Sequence, residues 1–250
     1  MSLEGKVAIV TGGARGIGRA YCEGLVAQGA AVLIADVLEA EGRETQAAIA
    51  ARGGRAIFQR ADVTDPASVE AMVDAAASEF GGVDILVNNA AMFASLRGGP
   101  LTEISLERWE RTMAVNVKGP WLCIKAVVPH MRKRGGGAIV NISSISAYGI
   151  PGMLDYTTSK AGVIGMTKNA AKELGADNIR VNAIAPGGTQ TEAWAEITGG
   201  ATPQRPANQS IGGSLMPEDM VGTLLYLVGD GSKLVTGQTL VVDGGRYFLG

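Results

Sequence analysis

Short, continuous apolar runs recur along the chain, at residues 7–10, 31–35, 85–87, 138–142 and 239–242. Strands buried on both faces of a sheet read this way, because helices cover the sheet above and below. Between the runs, apolar residues fall at helical spacing. Ile17, Ala20, Tyr21, Gly24 and Leu25 form one stripe; Val69, Met72, Val73 and Ala76 form another. The second stripe follows Asp65-Pro66, a capping residue with proline in the first helical position. A longer helical stretch runs from about residue 106 to 134. Strand and helix signals alternate, which predicts repeated βαβ units with right-handed crossovers. The fold class is α/β, a doubly wound parallel sheet with helices on both faces, in a single domain over residues 1–250. Only residues 187–216 lack clear periodicity, and they are expected to form a long substrate-binding loop.

Composition narrows the functional classes. Of the 250 residues, 46% are hydrophobic and 18% charged, enough for a sizeable core. The 36 glycines are scattered, so they read as turns and close backbone approaches rather than a low-complexity tract. A formal net charge of −2 gives no electrostatic reason to expect nucleic acid or an anionic membrane. The one basic run, Met131-Arg132-Lys133-Arg134, suits the last turn of a helix. Cys22 and Cys123 lie in helical patterns, so neither a disulfide nor a metal site is expected. The single histidine, His130, has no partner for a ligand cluster. No signal peptide or membrane-spanning run is evident, and a cytoplasmic protein is expected.

The first strand runs into Thr11-Gly12-Gly13-Ala14-Arg15-Gly16-Ile17-Gly18 and then a helix. Glycines there permit a tight turn and bring backbone N–H groups toward a ligand. The following helix N-terminus attracts phosphate. Gly12, Arg15, Gly16, Ile17 and Gly18 are therefore candidate contacts to a dinucleotide. The second strand ends in Asp36, about 20 residues on. A carboxylate there accepts hydrogen bonds from ribose hydroxyls and repels a 2′-phosphate. Arg15 argues for an added phosphate, but no Arg or Lys stands beside Asp36. NAD is expected over NADP.

Tyr156 and Lys160 lie four apart in a helical pattern, so both project from one face. An ammonium close to a phenol favours the phenolate, which would let tyrosine exchange a proton with an alcohol near neutral pH. Ser143-Ser144 ends the 138–142 strand at the sheet edge where open α/β folds bind ligands. Asn116 precedes Pro120 by four residues. Proline has no N–H to close the helical bond to the Asn116 carbonyl, which is left free for water.

These motifs together resemble the short-chain dehydrogenase/reductase family, whose fold is Rossmann-like. Residues 11–18 resemble its cofactor turn, Asp62-Val63 the dipeptide beside the adenine, and Asn88-Asn89-Ala90-Ala91 its Asn-Asn-Ala-Gly motif. Tyr156-Thr-Thr-Ser-Lys160 matches its Tyr-x-x-x-Lys. The resemblance extends to Gly244-Gly245. It implies a catalytic tetrad of Asn116, Ser144, Tyr156 and Lys160. It also implies cofactor contacts from Asp62, Val63, Asn89, Ala90, Tyr156, Lys160, Pro186, Gly187, Thr189 and Thr191. The family's usual spacing lands on Ser143 instead of Ser144. The strand pattern favours Ser144, with a one-residue deletion near Gly149, and only one of the two can face the site. Ala91 departs from the family's glycine.

The expected activity is NAD-dependent hydride transfer between nicotinamide and a secondary alcohol or ketone, with Tyr156 as general acid/base. Tyr148, Met153 and Trp194 are expected to line an apolar substrate pocket, with specificity in residues 92–100 and 187–216. An NADPH-dependent 3-oxoacyl-(acyl-carrier-protein) reductase and a non-catalytic dinucleotide sensor are the alternatives. The resemblance further implies a homotetramer built on the helices that carry Asn116 and Tyr156. Ala161, Gly162 and Gly165 would allow close packing there.

Overall fold

A computed structural model describes residues 2–93, 98–200 and 208–248. Seven strands form one sheet: β1 (Val7–Thr11), β2 (Ala31–Asp36), β3 (Ala56–Arg60), β4 (Ile85–Asn88), β5 (Gly137–Ile142), β6 (Ile179–Pro186) and β7 (Thr239–Val242). Their order is β3-β2-β1-β4-β5-β6-β7, and every pairing is parallel. The chain winds outward from β1 in one direction and from β4 in the other. Ligands in such sheets bind where the order reverses, beyond the carboxyl ends of the strands.

Among the described residues eight α-helices accompany the sheet: α1 (Gly16–Ala27), α2 (Glu39–Ala50), α3 (Pro66–Phe80), α4 (Leu106–Met113), α5 (Gly119–Lys133), α6 (Leu154–Leu174), α7 (Glu192–Thr198) and α8 (Val221–Val228). Alternation along β1 divides the interior into two cores. Val7 and Ile9 face one side, with Met72 and Val73 of α3 and Cys123, Val127 and Met131 of α5. Ala8 and Val10 face the other, with Tyr21, Cys22 and Leu25 of α1 and Leu224 and Leu227 of α8. Both sheet faces are thus covered, which is why the strands read as unbroken apolar runs. Asp65 caps α3 by accepting from the Ala67 N–H at 3.0 Å, with Pro66 in the first helical turn, as the sequence predicts.

The structure departs from the pattern-based reading in three places. First, β3 and β6 were not among the apolar runs. β3 is a half-buried edge strand, and β6 is interrupted by Arg180 and Asn182, whose side chains donate to the carbonyls of Leu227 in α8 and of Val235. Second, residues 106–134 are not one α-helix. A π-turn at Ala114–Lys118 separates α4 from α5, with the Gly119 N–H bonding the Ala114 carbonyl five residues back. Third, the expected loop at 187–216 contains α7, capped by the Thr191 hydroxyl, which accepts from the Trp194 N–H at 3.1 Å. Its residues 201–207 lie outside the described residues. Both cysteines are buried free thiols. Among the described residues no helix is long and apolar enough to cross a membrane, and no cluster of three potential metal ligands occurs.

Candidate active site

A cleft of about 860 Å³ opens along the carboxyl edge of the sheet. One continuous lining brings together Gly12, Arg15, Gly16, Ile17, Gly18, Asp36, Asp62, Val63, Asn89, Ala90, Ser144, Tyr156, Lys160, Pro186, Gly187, Thr189 and Thr191, collected from the carboxyl ends of β1, β2, β3, β4, β5 and β6 and from α6. Of the expected catalytic and cofactor-binding residues, Asn116 alone does not line it.

The glycine turn is compact for steric reasons. Gly12 has φ +64°, and a Cβ there would come within 2.8 Å of the Ala90 Cα. At Gly18 a Cβ would stand 2.0 Å from the Gly12 carbonyl oxygen. No other residue fits at either position without moving the backbone. Asn89 reinforces the turn, its side-chain amide donating to the Thr11 and Gly12 carbonyls at 3.1 and 2.9 Å. The Thr11 hydroxyl accepts from the Asn89 and Ala90 N–H groups, both at 3.1 Å. Sequence reading gave Thr11 no such role.

Asp36 accepts from the Ala14 N–H and the Leu38 N–H, both at 3.1 Å, so its carboxylate ties the glycine turn to the end of β2. Hydrogen bonds from Thr64 hold the Asp62 carboxyl below its usual range. Arg15 is engaged across the cleft by Glu196 of α7, and this hydrogen bond holds its guanidinium in the charged form.

At the other end Tyr156 and Lys160 are both buried on α6. The Lys160 ammonium donates to the Ile142 carbonyl at 2.7 Å and stands 5.6 Å from the centroid of the Tyr156 ring. Burial pushes Lys160 down to about 8, which leaves it mainly protonated at neutral pH. Burial pushes the Tyr156 phenol up, opposed by a hydrogen bond with Ser144. The expected lowering by Lys160 does not appear in the free protein, where desolvation dominates because the phenolate is the charged form that an apolar surrounding disfavours.

The two serines have separate tasks. The Ser143 hydroxyl is buried and donates to the Lys160 carbonyl at 2.9 Å. Ser144 turns toward Tyr156; its hydroxyl donates to the Ser146 hydroxyl and accepts from the Ser146 N–H, both at 3.1 Å. Asn116 lies in the π-turn, its side chain accepting from the Met92 N–H at 2.7 Å and donating to the Ser159 hydroxyl at 3.0 Å. It therefore ties the loop after β4 to α6 behind the cleft.

Two buried polar features escaped the sequence reading. Asp155, next to Tyr156, is fully buried and receives two hydrogen bonds from Arg108 of α4, at 2.8 and 2.9 Å. The Asn88 amide donates to Asn141, whose amide donates to Thr167, both at 2.9 Å, joining β4, β5 and α6. An acid beside the tyrosine and an asparagine in an apolar strand were the available signals. Met92, Phe93, Met153 and Trp194 line the cleft; Phe93 packs against Tyr156 at 5.2 Å between ring centroids, and the Trp194 ring lies beside Gly188. Tyr148 does not line the cleft, contrary to expectation. It is half-exposed and packs on Tyr247 at 6.4 Å.

Residues 12–246 match the family model described as enoyl-(acyl carrier protein) reductase. The chain belongs to the short-chain dehydrogenase/reductase family. An uncharacterised oxidoreductase of Mycobacterium tuberculosis is 45% identical over 97% of this chain and 98% of its own. The cis-4-hydroxycyclohexanecarboxylate dehydrogenase of Sinomonas cyclohexanicum is 42% identical over 96% of both chains. Among solved structures, 3-ketoacyl-(acyl-carrier-protein) reductase of Brucella melitensis, complexed with NADH, is similar with a TM-score of 0.90. Its identity is 32%, over 98% of this chain and 99% of that one. This short-chain dehydrogenase/reductase therefore pairs a Rossmann-like sheet with a nicotinamide dinucleotide cofactor and oxidoreductase chemistry.

Proposed function

We propose that the protein is an NAD-dependent dehydrogenase that interconverts a secondary alcohol and a ketone carried on an apolar ring or chain. The observation that carries the reading is one cleft with the glycine turn and Asp36 at one end and Ser144, Tyr156 and Lys160 at the other. The glycine turn would hold the pyrophosphate, Asp36 the adenosine ribose, and residues 186–191 the nicotinamide end. Preference for NAD is supported by Asp36 and by the pairing of Arg15 with Glu196, which removes the one cation in the turn that could meet a 2′-phosphate.

When bound, the oxidised cofactor supplies the hydride acceptor and a positive charge. The protein's part is proton transfer and orientation. Ser144 donates to the substrate oxygen, and Tyr156 takes the hydroxyl proton during oxidation and returns it during reduction. Lys160 contributes a buried positive charge to the site. Asn116 is a positioning residue, acting through Met92 and Ser159. Substrate recognition falls to the apolar lining and to residues 187–216.

The test is absorbance at 340 nm with NAD+ and NADP+ offered beside a panel of secondary alcohols, and with acetoacetyl thioesters for the ketoacyl reductase alternative. NAD+-linked alcohol turnover is expected. Tyr156→Phe should lower it by about 10²- to 10⁴-fold while NAD+ still binds. Undiminished turnover in that variant would remove Tyr156 from the chemistry. The absence of turnover across the whole panel would leave a binding protein.

A further inference from the structure

The cleft lining includes one arginine, Arg246, whose partly buried guanidinium has no hydrogen-bond partner among the described residues. Arg246 follows Gly244-Gly245 beyond β7 and lines the cleft with Met92, Met153 and Trp194. The other cations of the lining are accounted for differently. Arg15 pairs with Glu196, Lys160 donates to Ile142, and Arg111 is exposed and within electrostatic reach of Asp62. Among the described residues no carboxylate stands within ion-pairing distance of Arg246.

The nearest acid in the sequence is committed elsewhere. Asp243 is buried, and its oxygens accept the backbone N–H groups of Gly245, Arg246 and Tyr247 at 2.9, 3.1 and 2.8 Å. Those bonds fix the backbone that presents Arg246. The guanidinium lies over the Tyr247 ring, 5.5 Å from its centroid, and Tyr247 packs on Tyr148. Its Nε is buried with no hydrogen-bond partner among the described residues. A guanidinium carries five donors in a planar fork and stays charged, so a partly buried one lacking an acceptor is an incomplete arrangement. A carboxylate completes it, because its two oxygens match the fork. A phosphate dianion would call for more positive charge than a single arginine supplies.

We propose that Arg246 is a carboxylate receptor, so that the substrate is a hydroxy acid whose hydroxyl meets Tyr156 and whose carboxylate meets Arg246 across an apolar body. This rests on the alcohol-oxidising reading given above. The arrangement makes the cleft selective by charge as well as by shape: a neutral alcohol of the same outline leaves Arg246 without its acceptor.

The probes are 3-hydroxybutyrate, 5-hydroxyhexanoate and 3-hydroxycyclohexanecarboxylate, each beside its methyl ester, assayed with NAD+. The unaltered protein should favour at least one acid over its ester by about 10- to 100-fold in kcat/KM, mainly through KM. Arg246→Gln should bring that ratio close to one. Arg246→Lys, which keeps the charge and loses the fork, should fall between. Calorimetry with hexanoate alone, on the NAD+-loaded protein, should detect binding that Arg246→Gln abolishes. Equal handling of acid and ester by the unaltered protein, or an unchanged ratio in Arg246→Gln, would overturn the proposal. Arg246-dependent hexanoate binding without turnover of any alcohol would instead sink the dehydrogenase reading and leave the anion site standing.

Discussion

The two ends of the cleft are built from different materials. At the glycine turn the lining is mostly backbone. Gly12 and Gly18 leave no space for a Cβ, and Asp36 and Asn89 each bond two main-chain groups. At the tyrosine end the lining is mostly side chain: Met92, Phe93 and Met153 beside two buried titratable groups, with the Trp194 ring against Gly188. A backbone-built site tolerates few residue types, so it serves one ligand. A side-chain-built site of soft, adaptable residues can be reshaped by substitution without disturbing the sheet beneath. The difference separates what the family shares from what an individual member selects.

Three substitutions press on that contrast. The largest effect is expected at the backbone end. Gly18→Ala places a methyl group against the Gly12 carbonyl and should lower stability by about 1–3 kcal/mol. NAD+ affinity should fall about 10- to 100-fold as the turn opens. Thermal denaturation and fluorescence titration measure both, and an alanine variant that binds NAD+ as before would mean the turn is not rigid. Next, Asp36→Ser should shift the ratio of kcat/KM for NAD+ over NADP+ about tenfold toward NADP+, since repulsion of a 2′-phosphate disappears. An unchanged ratio would assign the preference to another residue. The smallest effect belongs to the side-chain end. Trp194→Ala should reorder a series of alcohols of increasing bulk by about fivefold in kcat/KM, with Kd for NAD+ unmoved. If it weakened NAD+ binding and left the order intact, the two ends would not be separable.

Legibility in the sequence follows the same division. The glycine turn and Asp36 could be read because dihedral angles and backbone approach dictate residue type at fixed spacing. β1, β2, β4 and β5 could be read because both faces are covered, and the half-buried edge strand β7 because it is made of Thr, Leu and Val alone. β3, the other edge strand, could not, since Gln59 and Arg60 end its apolar run after three residues, and β6 could not, since Arg180 and Asn182 interrupt it. Tyr156 and Lys160 were visible as a pair, yet the sign of the tyrosine's shift in the free protein depends on burial, which spacing does not carry. Between Ser143 and Ser144 the alternation of a strand gave only that one must turn away. The structure turns Ser143 toward the Lys160 carbonyl. Arg108 and Asp155 lie 47 positions apart, and nothing local marks them as partners.

The π-turn has a consequence best put as angular phase. Arg108, Thr112, Asn116, Cys123, Val127 and Met131 follow one another at intervals of four or seven residues. On an unbroken α-helix, advancing about 100° per residue, such a row would wind about 140° around the axis between its first and last members. The wider turn at Ala114–Lys118 advances less per residue and takes back part of that winding. Arg108 can then reach Asp155 while Met131, a helix and a half away, still points into the core. Asn116 stands at the correction itself, so the residue that ties the loop after β4 to α6 also sits where the two helices are brought back into step.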